Sequence, residues 1–213
     1  MLNLNRYKSF LLIIGIMGFI SLIISLRAKT KISIVFLCIF TAVFLLLLFF
    51  FRNPYRKVIV NKNRVLAPCD GKIISIERPE NNRVQIYVFL SIFDVHRFRN
   101  PVSGKVIKIE YKKGKFYKAF NRAARKENES NKIAYKIGNG NMIYITQIAG
   151  YIARRIFCDL RERDIVQQGD LFGMISFGSG CLIDIPSNYT VKVKLRSKIK
   201  AGKNIIAEIA GNN

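Results

Sequence analysis

Two long apolar segments that carry no charge, residues 10–26 and 32–51, constrain the start of the chain more than any other feature. Each is close to the ~20 apolar residues that a bilayer-spanning helix needs. Only residues 27–31 separate them, which is enough for a turn between two helices. A cleaved signal peptide would need a small-residue cleavage site after the first segment, where a second apolar segment begins instead. The sequence therefore predicts an N-terminal hydrophobic helical hairpin over residues 1–57 and a separate domain over residues 58–213.

The chain is strongly basic, with 36 Lys and Arg against 13 Asp and Glu, a net charge of +23. A field of this sign favours an anionic partner. The apolar hairpin indicates that the partner is an anionic membrane surface, where each nearby Lys or Arg contributes on the order of 1 kcal/mol of attraction. Nucleic acid is not predicted as a partner, because the sequence shows no helix-turn-helix, RNP-like or zinc-finger pattern.

Basic residues lie before, between and after the two apolar segments, so the positive-inside rule gives conflicting signals. Because the basic domain follows the second segment directly, we expect a protein of the cell membrane with this domain on the cytoplasmic side. A shallow hairpin lodged in one leaflet is an alternative.

Beyond the hairpin, short runs of β-branched and aromatic residues alternate with glycine turns. This pattern is typical of a compact β barrel or sandwich, so we predict a mainly β domain, α+β overall with the hairpin. Residues 67–77 (APCDGKIISIE) and 100–110 (NPVSGKVIKIE) share Pro, Gly, Lys, two Ile and Glu at an offset of 33 residues. The repeat indicates a duplicated turn-plus-strand unit, with two related layers facing each other in a quasi-symmetric closed β unit.

A serine lies between two glycines in residues 173–180 (GMISFGSG). In a bent loop, the hydroxyl of Ser179 can add to the carbonyl of Gly178, which turns the peptide bond into an ester. Elimination then leaves a dehydroalanine, which hydrolyses to a pyruvoyl group on the new N-terminus. An ordinary glycine turn has the same residues, so the motif alone leaves both interpretations open.

Four other residues could contribute chemistry. His96 is the single histidine, and its unperturbed pKa suits proton transfer near neutrality, although a lone histidine is also a common bystander. Asp70 either bonds its own turn or orients an imidazole and polarises Ser179. Arg154 and Arg155 follow an apolar run and either bind a phosphate or carboxylate of a substrate or form a solvated edge.

Five segments of the chain, in this order, resemble the phosphatidylserine decarboxylase proenzymes, in the short form found in bacteria and archaea. Together they span most of residues 60–185. The segments are residues 67–71 (APCDG), 89–96 (FLSIFDVH), 100–104 (NPVSG), 147–156 (QIAGYIARRI) and 172–179 (FGMISFGS).

The resemblance implies that the chain cleaves itself between Gly178 and Ser179 and that the large chain (1–178) and the small chain (179–213) remain associated. It implies a pyruvoyl cofactor derived from Ser179, with no pyridoxal phosphate and no metal. The pyruvoyl group forms a Schiff base with phosphatidylserine, which loses CO2 to give phosphatidylethanolamine in phospholipid biosynthesis. In this chemistry, His96 is the candidate general acid and Asp70 the candidate that assists self-cleavage.

The chain departs from the family pattern at two positions. Larger relatives carry a second histidine three residues after the position of His96, where this chain has Arg99, so a full Asp-His-Ser relay cannot be carried over. Either His96 serves both steps, or strain in the glycine loop together with Asp70 suffices. Gly180 stands where arginine, serine or threonine is more usual, which predicts a looser loop.

Three other functions are compatible with the sequence. The first is decarboxylation of archaetidylserine or a related serine phospholipid, which has the same headgroup; no sequence feature indicates which lipid tails are recognised. A relative that binds lipid without turnover would result if Arg99 or Gly180 disabled processing. A non-catalytic, membrane-anchored lipoyl-like β module would need a modifiable lysine at a hairpin tip, which the glycine turns do not show. Assembly into a homo-oligomer is compatible with all of these.

Overall fold

The computed structural model describes residues 6–28, 30–79, 82–119, 121, 123–138, 140–151, 155–175 and 178–209. Two long helices come first, α1 (Arg6–Ala28) and α2 (Lys31–Phe50), and a single short helix, α3 (Ala124–Glu127), occurs later. Thr30 caps α2, because the backbone N–H of Ser33 donates to its side-chain oxygen at 3.2 Å. The predicted helical hairpin is therefore confirmed.

The described residues also form fourteen β-strands. They are β1 (Arg64–Leu66), β2 (Gly71–Glu77), β3 (Arg83–Leu90), β4 (Arg97–Arg99), β5 (Gly104–Lys112), β6 (Ser130–Lys136), β7 (Met142–Ile148), β8 (Ile156–Cys158), β9 (Ile165–Val166), β10 (Leu171–Ile175), β11 (Ser179–Pro186), β12 (Tyr189–Val191), β13 (Lys198–Ile199) and β14 (Ile205–Ile209). The prediction of a mainly β domain behind an apolar hairpin is confirmed.

The strands form three sheets. The largest has eight strands in the order β13-β2-β3-β11-β7-β6-β5-β9, and two sheets of three strands have the orders β1-β14-β12 and β4-β10-β8. A single apolar core, built largely from alternate residues of β3, β6, β7 and β11, joins them. Strand β11 lies at the middle of the large sheet, between β3 and β7; its first residue, Ser179, pairs with β3, and pairing with β7 begins at Gly180.

The sequence repeat has a clear structural counterpart. Its two strands, β2 and β5, are second and seventh in the eight-stranded sheet and so lie near opposite edges of that one sheet. The repeats meet through their proline turns, where Arg99 N–H donates to the carbonyl of Pro68 at 2.8 Å and Leu66 N–H donates to that of Pro101 at 2.9 Å. These paired turns lie beside the loop that carries His96.

The end of α2 packs against the β domain. Leu47, Phe50 and Phe51 form a small apolar cluster with Phe157 of β8 and Met174 of β10. Most other apolar side chains described in α1 and α2 are exposed. Among the described helices, α2 is long and apolar enough to cross a membrane, with a mean hydropathy of 3.0.

Candidate active site

The bond between Gly178 and Ser179 lies where the backbone enters β11. Ser179 pairs with Leu90 of β3, so the sheet fixes the backbone on the Ser179 side of the bond. Gly178 has a φ of +65°, in the left-handed region that glycine adopts without a steric penalty. The bond therefore joins a sharply bent residue to a rigid strand, as the sequence predicted.

The side chain of Ser179 lies inside the protein. Its exposed fraction is 0%, and its Oγ has no hydrogen-bond partner among the described residues. A buried hydroxyl without a partner costs about 1–3 kcal/mol, and such groups in native proteins call for a functional explanation. An attacking hydroxyl of a self-cleaving chain provides one.

His96 lies directly against this bond. Its Nδ1 is 2.8 Å from the carbonyl oxygen of Asp94, and the backbone N–H of Gly178 donates to its Nε2 at 3.2 Å. Because a carbonyl oxygen only accepts and an amide N–H only donates, Nδ1 carries the proton and the lone pair of Nε2 accepts from Gly178 N–H. The imidazole is thus held as a neutral base one residue from the Ser179 hydroxyl.

The pKa of His96 is lowered to about 4, chiefly by burial and to a smaller extent by the nearby charge of Arg52. The hydrogen bond to the Asp94 carbonyl and the charge of Asp70 act in the opposite direction. His96 is therefore uncharged near neutral pH, which is the state that can take a proton from a serine.

The carbonyl of Gly178 is covered by Gly150, in the loop that follows β7. A Cβ on Gly150 would overlap the Gly178 carbonyl oxygen, so only glycine lets the two segments approach this closely. Asn128 holds the loop in place, because its Nδ2 donates to the carbonyl of Ala149 at 2.7 Å. The sequence does not predict this contact of Gly150, because a single glycine in an apolar segment does not show which distant backbone approaches it.

The phosphatidylserine decarboxylase family model matches residues 43–207. Several bacterial phosphatidylserine decarboxylase proenzymes are similar to the chain. Those of Syntrophus aciditrophicus and Cytophaga hutchinsonii are 39% and 41% identical, and the alignments cover 73% and 78% of this chain and 76% and 78% of the relatives. That of Geotalea uraniireducens is 35% identical, over 91% of both chains.

This chain belongs to the phosphatidylserine decarboxylase family. The resemblance drawn from five segments of the sequence is therefore confirmed. The family model extends from within α2 to within β14, so it includes the end of the hairpin as well as the cleavage segment.

Asp70, the residue expected to assist self-cleavage in this family member, has other partners. Its two carboxylate oxygens accept from Nη1 and Nη2 of Arg56 at 2.5 and 2.7 Å, and one also accepts from the N–H of Ala201 at 2.8 Å. Among the described residues it has no hydrogen bond to His96 or Ser179. The group that orients His96 is instead the backbone carbonyl of Asp94, which no side-chain pattern in the sequence reveals.

Arg99, which occupies the position of the second histidine in larger family members, is also engaged elsewhere. Its Nη1 donates to the carbonyl of Gly169 at 2.8 Å, and its Nη2 donates to Oδ1 of Asn53 at 3.4 Å. It therefore links the proline turns of the repeat to the segment after α2. Of the predicted substrate-binding arginines, Arg155 is exposed and Arg154 lies outside the described residues.

Gly180 has a different role from the predicted looser loop. It lies inside β11 and pairs with Phe89 on one side and Ile148 on the other. A Cβ on Gly180 would overlap the hydroxyl of Tyr87, which is buried and donates to the carbonyl of Ala119 at 2.8 Å. The small residue therefore accommodates Tyr87 next to the Gly178–Ser179 bond.

Proposed function

We propose that this chain is the precursor of a phosphatidylserine decarboxylase, which cleaves itself between Gly178 and Ser179 and then converts phosphatidylserine to phosphatidylethanolamine and CO2. The observation that carries the proposal is the hydrogen bond from Gly178 N–H to Nε2 of His96, beside a buried and unpartnered Ser179 Oγ. The family membership gives the substrate class, because the relatives are named for this reaction. Residues 1–57 form the anchoring hairpin and residues 58–213 the decarboxylase domain.

Self-cleavage begins with attack by the Oγ of Ser179 on the carbonyl carbon of Gly178. Gly178 N–H first releases its hydrogen bond to Nε2 of His96, which frees the lone pair of that nitrogen. Nε2 then takes the hydroxyl proton and passes it to the Ser179 nitrogen as the peptide bond breaks, which leaves an ester. Removal of the Ser179 Cα proton then expels the Gly178 carboxylate and leaves a dehydroalanine. Addition of water to that residue releases ammonia and leaves a pyruvoyl group at residue 179.

The site fits this group, because Gly178 already bends the chain and Ser179 is already enclosed. When formed, the pyruvoyl ketone supplies an electrophile for the substrate amine and an electron sink for loss of CO2. His96 is the candidate general acid that returns a proton to the substrate carbon, and the burial that lowers its pKa makes its protonated form a strong acid. Arg154 and Arg155 are the candidates for the substrate phosphate or carboxylate.

The sheet topology supports lasting association of the two product chains. The small chain, residues 179–213, would contain β11 to β14. Strand β11 pairs with β3 and β7, β13 pairs with β2, and β14 pairs with β1, all of which would belong to the large chain. Cleavage therefore leaves the large sheet and its core intact.

The apolar hairpin and the net charge of +23 support a location at an anionic membrane surface, with the domain on the cytoplasmic side. A lipid substrate reaches a tethered site by diffusion within the bilayer, which raises its effective concentration.

The experiment compares the full-length chain with Ser179→Ala and with Ser187→Ala, an exposed serine in the turn that follows β11. Denaturing gels follow the fragment formed by residues 179–213, and CO2 release is measured on vesicles that contain phosphatidylserine. We expect Ser179→Ala to lose both signals and Ser187→Ala to keep both. Fragment formation or CO2 release by Ser179→Ala at the parent level would overturn the proposal.

A further inference from the structure

The last residue of α2 lies on the imidazole of His96. The ring centroids of Phe50 and His96 are 4.3 Å apart and the rings are tilted by 37°. Both side chains are almost fully buried, with exposed fractions of 2% and 1%. The apolar hairpin therefore supplies one wall of the site that holds the Gly178–Ser179 bond.

Phe50 is itself held in place by the β domain. Its ring meets that of Phe51 edge-on at 5.2 Å, and both belong to the cluster with Phe157 and Met174. Met174 pairs with Phe157 of β8 and with Arg97 of β4, the residue after His96. The cluster thus connects the end of α2 to β10, the strand that precedes the Gly178–Ser179 bond and that pairs with β4, the strand after His96.

The residues that follow α2 hold the same loop from outside. Arg52 donates through Nη1 to the carbonyl of Phe49 and through Nη2 to the carbonyl of Phe93, each at 2.6 Å. Four residues later, Arg56 forms its buried ion pair with Asp70. The chain from Phe49 to Arg56 therefore binds the domain at two places, the loop before His96 and the turn before β2.

We propose that Phe50 is a positioning residue for His96, through which the docked end of α2 keeps water from the imidazole and holds its Nε2 against Gly178. The inference rests on the proposed function, since it concerns how the same site reaches its reactive state. It makes docking of the hairpin a condition for fast self-cleavage, so that the anchor assembles the site as well as tethering it.

The pKa of His96 reports whether the Phe50 ring is in place, because it depends on burial and on the charges around the imidazole. Arg52, from the segment after α2, lowers the pKa of His96, whereas Asp70, from the turn before β2, and the carbonyl of Asp94, in its own loop, raise it. Burial is the largest influence and Phe50 provides part of it. Removal of the ring admits water, which stabilises the protonated imidazole and moves the pKa up from about 4 toward its ordinary value of 6.5.

The test uses the full-length chain in detergent micelles. Because His96 is the single histidine, its imidazole gives one NMR titration without assignment. The titration is recorded in the uncleaved Ser179→Ala background, alone and with Phe50→Ala or Leu46→Ala added. Leu46 is the matched control, since it lies one turn earlier in α2 with its side chain 54% exposed. The cleavage rate is measured in chains that keep Ser179, with and without the Phe50 and Leu46 substitutions. These chains are made by cell-free synthesis, and gels give the rate at which the 179–213 fragment appears at different pH values.

We expect Phe50→Ala to raise the His96 titration midpoint and to slow fragment formation on the order of tenfold or more, because the base is both misplaced and hydrated. The lower pH limit of cleavage should rise with the midpoint, and Leu46→Ala should match the parent in all respects. If the alanine variant does not fold, Phe50→Val, which keeps an apolar stub, takes its place with the same expected direction.

A parent-like titration and a parent-like cleavage rate in the folded Phe50 variant would overturn the inference and leave the proposed function standing. Cleavage that persists in Ser179→Ala would instead overturn the proposed function. The two failures are thus distinguishable in one set of samples.

Discussion

The backbone N–H of Gly178 donates a hydrogen bond to Nε2 of His96, across 82 residues of sequence, and this contact sets the single imidazole of the chain beside the proposed cleavage site. Nδ1 is fixed at the same time by the carbonyl of Asp94, at 2.8 Å. The ring therefore has one tautomer and one orientation, and no carboxylate of the described residues is hydrogen-bonded to it.

Replacement of His96 by glutamine should stop self-cleavage. Glutamine offers a similar size and an amide oxygen that can accept from Gly178 N–H, but it cannot take a proton from Ser179. We expect fragment formation to slow by about 10² or more, as is typical when a general base is lost. A gel time course of His96→Gln checks this, with thermal unfolding to show that the fold is retained. Cleavage at the parent rate would mean that the proton has another acceptor.

Replacement of Gly150 by alanine should block cleavage while the sheet still forms. The new methyl group would overlap the Gly178 carbonyl oxygen and push the scissile carbonyl away from Ser179. Gly138→Ala is the matched control, because a Cβ there meets nothing within 4 Å. Intact full-length chain in the first variant and normal fragments in the second are expected. Normal processing of Gly150→Ala would show that the carbonyl can shift without consequence.

Tyr87 and Gly180 should behave as a coupled pair. Gly180→Ser places a side chain where the Tyr87 hydroxyl lies, so we expect loss of stability and slower processing. In the double variant Tyr87→Leu, Gly180→Ser the overlap is relieved, and part of the loss should be recovered. Urea unfolding and gel time courses of both single variants and the double variant give the coupling free energy. Strictly additive effects would contradict this account of Gly180.

The ion pair of Asp70 and Arg56 should contribute to stability more than to chemistry. The two side chains are only 10% and 6% exposed, and removal of one partner leaves the other charge buried and unpaired. We expect Asp70→Asn and Arg56→Gln each to lower the free energy of unfolding, by about 3–5 kcal/mol at most. Both variants should slow processing to a similar extent. A processing defect in Asp70→Asn without a matching defect in Arg56→Gln would instead assign Asp70 a direct part in cleavage.

The sequence alone predicts the features that depend on local pattern. The two uncharged segments specify the hairpin, the repeat of Pro, Gly and Lys marks β2 and β5, and the glycines around Ser179 mark the bent bond. In each case the residues that carry the signal are adjacent or regularly spaced, so no knowledge of tertiary packing is needed.

The contacts that complete the site depend on packing between distant segments. Three contacts join elements that are far apart in the chain: the ring contact of Phe50 with His96, the close approach of Gly150 to the Gly178 carbonyl, and that of Tyr87 to Gly180. A helix-end phenylalanine or a single glycine has the same local sequence whether or not it meets a reactive group. Short strands such as β4 and β13 cannot be located from the sequence for a similar reason, because two or three residues carry no measurable alternation.

The mass of the small fragment shows directly whether the chain cleaves itself before Ser179 and converts that residue to a pyruvoyl group. The full-length chain is synthesised, allowed to process, and analysed by intact mass spectrometry beside Ser179→Ala. We expect the parent chain to give a fragment of residues 179–213 whose mass is lower, by one ammonia, than that of the same peptide beginning with serine. We expect the Ser179→Ala chain to stay uncleaved. An uncleaved parent chain, or a fragment with an ordinary serine N-terminus, would contradict this proposal.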